Sequence, residues 1–115
     1  MPLYESVIVT RQDINKTQVE KIISDFSNLI EDEGGKVKKN EYWGLKNLAY
    51  EINKNKKGHY TMLVLDSKPN SISEFERKLR INEDVIRFIT IKIKNFEDKP
   101  SIMMQYVTDN HSEKV

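Results

Sequence analysis

EYWGLKNLAYEINKNKKGHYTMLVLD, residues 41–66, reads as two extended arms joined by a polar turn. Tyr42, Trp43, Leu45, Leu48, Tyr50 and Ile52 show little helical period, and HYTMLVLD is dense in β-branched, aromatic and other apolar types, as a largely buried strand requires. Gly44 interrupts the first arm and predicts a bulge or bend, because a residue without Cβ tolerates the irregular backbone there. NKNKKG between the arms predicts a hairpin turn, Asn and Gly supplying the backbone conformations that tight turns need. What flanks this hairpin then decides the architecture.

Upstream, LYESVIVT at residues 3–10 reads as a strand, and the polar link RQDINK leads into a helix. Asn15 with Gln18, or Thr17 with Glu20, has the spacing of a capping box. Val19, Ile22, Ile23, Phe26, Leu29 and Ile30 then recur at helical spacing, giving one apolar stripe over about three turns. Gly34-Gly35 ends that helix and opens a strand over residues 36–53. Downstream, Pro69 and Asn70 break the strand. Ser71 with Glu74, or Ser73 with Glu76, opens a second helix with Ile72, Phe75 and Leu79 on its apolar side. VIRFITIKIK, residues 85–94, is a last strand. The order β-α-β-β-α-β implies an α+β, ferredoxin-like sandwich, a four-stranded antiparallel sheet with two helices on one face. Right-handed crossovers put both helices on that face and leave the other open. With 115 residues, one domain over residues 1–95 and a flexible C-terminal tail over 96–115 are expected.

The last strand is apolar on both sides. Its odd positions include Ile89, Ile91 and Ile93, its even ones Ile86, Phe88, Thr90, Lys92 and Lys94. Only one parity can lie under helices, so the other calls for cover from a partner, from loops or from the C-terminal tail.

Several chemistries have no residues to carry them. The absence of cysteine removes disulfides, thiol nucleophiles and thiolate zinc sites. His59 and His111 have no metal-ligand or triad spacing, and no catalytic carboxylate pair stands out among the helix-surface acids. Gly34-Gly35 follows a helix and precedes a strand, the reverse of a phosphate-binding loop. No run reaches the 18 apolar residues of a membrane span, and the N-terminus lacks the pattern of a leader. A soluble, cytoplasmic, non-enzymatic protein without cofactor or metal is expected.

Charge is distributed unevenly along the chain. A net charge of +1 conceals −3 over residues 16–33, +5 over residues 36–57 and +4 over residues 77–94. Local potential rather than net charge recruits a polyanion. Nucleic-acid binding needs cations for phosphates and flat rings for bases. The lysines and arginines of the two basic segments supply the first, and Tyr4, Tyr42, Trp43, Tyr60 and Phe88 are available for the second. GHYTMLVLD departs from the third-strand motif of single-strand RNA-recognition domains, which argues against generic stacking on the sheet.

YES at residues 4–6, GGKV at 34–37, EYWGLKNLAYEI at 41–52, KKGHYTML at 56–63 and FERKLRINEDVIRFITIKI at 75–93 together resemble the bacterial small-subunit ribosomal protein six family over residues 1 to about 95. The resemblance implies a ferredoxin-like, non-enzymatic component of the small subunit's platform. It implies pairing with ribosomal protein eighteen and binding to the central domain of small-subunit ribosomal RNA. Carried over by position, Tyr4, Lys46, Arg80, Arg87 and Lys92 become RNA-side candidates, joined by Lys54, Lys56, Lys57 and Lys94 on charge. Trp43, Tyr60 and Phe88 become candidates for partner-protein contact. Lys46 stands where many relatives have Arg, keeping the charge without the bidentate fork, and Asn47 and Glu51 depart from the family pattern. The alternative is a ferredoxin-like regulatory or interaction module that binds a metabolite or self-associates through its open face.

Overall fold

The computed structural model describes residues 1–101, 103 and 104. Its elements run β1 (Leu3–Arg11), α1 (Lys16–Asp32), β2 (Lys36–Ile52), β3 (Asn55–Asp66), α2 (Pro69–Ile81) and β4 (Val85–Ile93). They form one antiparallel sheet in the order β2-β3-β1-β4, the ferredoxin-like sandwich that the element order predicts. His111 lies outside the described residues.

Of the two caps open to α1, Asn15 provides the one used. Its side chain accepts from the Gln18 amide at 2.8 Å, and Gln18 Oε1 accepts from the Asn15 amide at 2.8 Å, satisfying two donors that a helix start otherwise leaves free. The far end closes at Gly34, whose φ of +87° suits glycine. The second helix starts earlier than its serines suggest. Pro69 occupies its first turn, where a missing N–H costs nothing, and Ser71 is buried within it.

Register shows which parity faces the helices. Tyr4, Ser6 and Ile8 pair with Leu65, Leu63 and Thr61 of β3 and with Lys92, Thr90 and Phe88 of β4, and this side carries the core. Ile8, Leu63 and Leu65 pack beneath Val19, Ile23, Phe26 and Ile30 of α1 and Ile72, Phe75 and Leu79 of α2. Phe26 and Phe75 meet edge-on, 5.7 Å between centroids, at the junction of the helices. Each such side chain contributes about 1.5–3 kcal/mol through burial. From Arg87 to Ile93 the even parity therefore faces the helices and the odd parity faces away, while a register shift at the start of β4 turns Val85 to the core and Ile86 toward Gly58 on the open side.

The hairpin is tighter than NKNKKG suggests. Its corner is Asn53-Lys54, both with positive φ (48° and 66°), between the paired Ile52 and Asn55, as a two-residue turn of the favoured hand requires. Gly58 instead lies within β3. A Cβ there would sit 2.5 Å from Val9 Cγ1 and 3.2 Å from the Thr10 carbonyl, so this glycine permits close packing rather than a turn. Gly44, at φ +105°, marks a register shift between Tyr42 and Gly44, the expected bulge. Gly58→Ala is expected to lower stability by about 1–3 kcal/mol through overpacking. Urea unfolding checks this, and unchanged stability would mean that Val9 yields freely.

Candidate nucleic-acid and partner interface

The predicted site residues fall into two groups on opposite sides of the sheet. Lys46 lies opposite Gly58, which pairs with Arg11; Arg87 lies opposite Val9, which pairs with Tyr60. Lys46, Tyr60 and Arg87 thus share the open face at the hairpin end, where Lys54, Lys56 and Lys57 line the hairpin's tip. The second group borders the helix-side edge. Tyr4 packs against the core and lies opposite Lys92. Arg80 of α2 stands 5.6 Å over the Phe88 ring, and Lys94 follows the end of β4. Trp43 belongs to the open face with Tyr60. Phe88 does not join them: it faces the helices and packs against the core. Tyr42 is likewise drawn to the helix side, its hydroxyl 2.7 Å from His59 Nδ1. His59 Nε2 donates to the Ile14 carbonyl at 2.7 Å, so this histidine ties β2, β3 and the loop before α1 together.

The hairpin's basic tip is held in place by residues that charge and spacing did not single out. Asn55 bonds the Ile52 and Asn53 carbonyls through Nδ2 and accepts from the Gln12 amide at 3.0 Å. The Gln12 side chain accepts in return from the Lys56 and Lys57 amides at 3.3 and 3.0 Å. The lysine backbones are thus fixed before any ligand arrives, lowering the ordering cost of binding. Between Asn47 and Ile52 the first arm bows out of register, leaving Tyr50 exposed. An amide between two hydrogen-bonding turn residues carries no sequence signature beyond the asparagine itself.

The open face is not bare. Residues 95–101 lie against it and enclose, with Glu5, Lys39, Trp43, Met62, Val64 and Ile93, a cleft of about 720 Å³. Met62 and Val64 are only 2% and 3% exposed although they face away from the helices. The anchor is Glu41: Oε1 accepts from Ser101 Oγ at 2.6 Å and from Trp43 Nε1 at 3.0 Å, and Oε2 accepts from the Ser101 amide at 2.9 Å. Lys39 Nζ donates to the Lys99 carbonyl at 2.6 Å, and Lys38 and Lys39 approach the Phe96 ring at 5.9 and 5.5 Å. Contacts with the sheet thus reach residues 96–101, which bring donors to a buried carboxylate. Residues 105–115 of the expected tail lie outside the described residues. Among the described residues, cover does not extend to Ile89 and Ile91, 57% and 51% exposed on β4.

Among the described residues there is no group of three or more His, Asp or Glu placed to hold a metal ion, and no helix long and apolar enough to cross a membrane.

A family model described as ribosomal protein S6 matches residues 3–92. The small ribosomal subunit protein bS6 of Granulibacter bethesdensis is 53% identical over 110 residues, 96% of this chain and 71% of the relative. Its counterpart in Methylobacterium nodulans is 50% identical over 105 residues, 91% of this chain and 78% of the relative. The crystal structure of 30S ribosomal protein S6 from Thermotoga maritima superposes with a TM-score of 0.75 at 23% identity, covering 98% of this chain and 95% of that one; at that identity the likeness speaks for the fold.

Burial pushes the Glu41 carboxyl upward, but the hydrogen bonds from Ser101 and Trp43, with Lys39 nearby, outweigh it and hold the group below its ordinary 4.5. Glu5, Glu97 and Lys99 line the same cleft. A carboxylate depressed in the folded state stabilises fully above its unfolded value, and that contribution disappears as pH falls through the folded value. The stability advantage of the wild type over Glu41→Gln is accordingly expected to shrink as pH drops below 4.5. Urea unfolding of both proteins across that range checks it; a difference independent of pH would refute it.

Proposed function

The chain belongs to the ribosomal protein S6 family, and on that premise we propose that it is a structural component of the small ribosomal subunit in the cytoplasm, binding small-subunit ribosomal RNA of the central domain together with ribosomal protein eighteen. Its work is to hold surfaces in place rather than to catalyse a reaction. The observation that carries this reading is the family match over residues 3–92, and the distribution of groups on the sandwich supports it. Lys46, Lys54, Lys56, Lys57 and Arg87 present cations at the hairpin end, with the tip's backbone held by Gln12 and Asn55. Such a pre-set array suits phosphates along one stretch of RNA. Arg80, Lys92 and Lys94, with Tyr4 beside them, offer a second basic patch at the β4 edge.

The apolar groups take the other role. Among the described residues nothing covers Ile89 and Ile91, and Trp43 and Tyr60 share their face. A protein partner covering them would remove apolar surface from water and bring its own charges beside the lysines. Phe88 contributes from beneath by holding Arg80 over its ring.

The test is filter binding of central-domain RNA, with and without ribosomal protein eighteen, over a range of salt. Affinity is expected to fall steeply with salt and to require the partner. Replacing Lys54, Lys56 and Lys57 with Ala is expected to reduce the slope of log affinity against log salt by about 2–3. Binding indifferent to salt and partner would overturn the reading, and a stable homodimer absent from ribosomal fractions would favour the self-associating module.

A further inference from the structure

Nothing in the family match calls for residues 95–101 to lie on the open face; they lie beyond the matched residues. Their hold on it is polar and local. Three hydrogen bonds and two ring contacts converge on β2: Ser101 gives its hydroxyl and amide to Glu41, the Lys99 carbonyl accepts from Lys39, and Phe96 sits near Lys38 and Lys39. Ser101 Oγ also accepts from the Met104 amide at 3.1 Å, turning the chain at that point. Beneath lie Met62, Val64 and Trp43, while the strap itself remains largely exposed on its outer side.

The covered strip and the uncovered one are a single surface. Glu5 pairs with Val64 on one side and Ile91 on the other, and Val7 pairs with Met62 and Ile89. Met62, Val64, Ile89 and Ile91 therefore form adjacent rows of one sheet face, half capped and half bare. A partner that docks on the bare half finds the capped half continuous with it across β1.

We infer that residues 95–101 act as a displaceable strap, occupying through the Ser101–Glu41 contact part of the sheet face that the partner protein takes, so that docking requires its release. This rests on the proposed pairing with ribosomal protein eighteen. Glu41 is the pivot: a partner segment that supplies a hydroxyl and an amide to that carboxylate compensates for the donors it displaces, whereas a purely apolar segment buries the charge with Trp43 Nε1 as its remaining side-chain donor. The partner fitting this face is therefore an extended segment with a donor beside its apolar side chains. Because only strap-open molecules accept it, the measured affinity is reduced by the open fraction.

Full-length wild type and Ser101→Asp, which sets a second carboxylate against Glu41, are compared in titrations with ribosomal protein eighteen. Amide exchange at Ser101 and Trp43 fluorescence are followed throughout. The expected result is a protected Ser101 amide in the free wild type that loses protection in the variant and on partner binding, with the variant binding about tenfold more tightly. Partner binding with Ser101 still protected, equal or weaker binding by the variant, or no protection in the free wild type would each overturn the strap. Failure of both proteins to bind the partner, with Ser101 protected only in the wild type, would refute the pairing, and the gating with it, while leaving the contact itself established.

Discussion

Two helices can cover only one face of a four-stranded sheet. Here that face is closed by Phe26 and Phe75 meeting over Ile8, Leu63 and Leu65, and the closure sets every side chain's alternative. Register with β1 sends Phe88 inward and Ile89 outward on the edge strand, because side chains alternate with a strict period of two. The second face must then find its cover without helices. Among the described residues it does so unevenly, with a strap over Met62 and Val64 and none over Ile89 and Ile91. The cations follow the same division, some with the open face and hairpin, others with the helix-side edge.

Much of this was legible in the residues. The stripe from Val19 to Ile30, the capping pair Asn15–Gln18 and the glycine at 44 are local signals, and local chemistry decides them. The double apolarity of VIRFITIKIK also announced a face in need of cover, though not its parity, which depends on pairing with a strand some eighty positions earlier. Gly58 misled for a related reason. Its lack of a side chain serves the approach of Val9, a contact between distant strands, while the corner is turned by Asn53 and Lys54.

The interface was legible in part. Lysines at 54, 56 and 57 stand together in the chain and remain together in the fold. Tyr4, Arg80 and Lys92 are scattered in sequence and come to one edge only through the β1–β4 pairing and the placement of α2. The residues that steady these groups were the hardest to find. Gln12 works through its side-chain amide on backbone forty-odd positions away, and Ser101 meets Glu41 across sixty. Neither has a composition, a spacing or a charge that distinguishes it from its neighbours.

The central position of β1 has a consequence for synthesis. Strand β1 is made first, yet its neighbours in the sheet are β3 and β4, whose residues follow some fifty to eighty positions later. While β4 is still within the ribosome, an emerging chain can pair β1 with β3 but leaves the other side of β1 unpaired. An unpaired strand edge carrying Val7, Ile8 and Val9 is a template for pairing with other chains. Until its last strand appears the nascent protein thus keeps an edge of β1 open to other chains, and completion of residues 85–93 closes it.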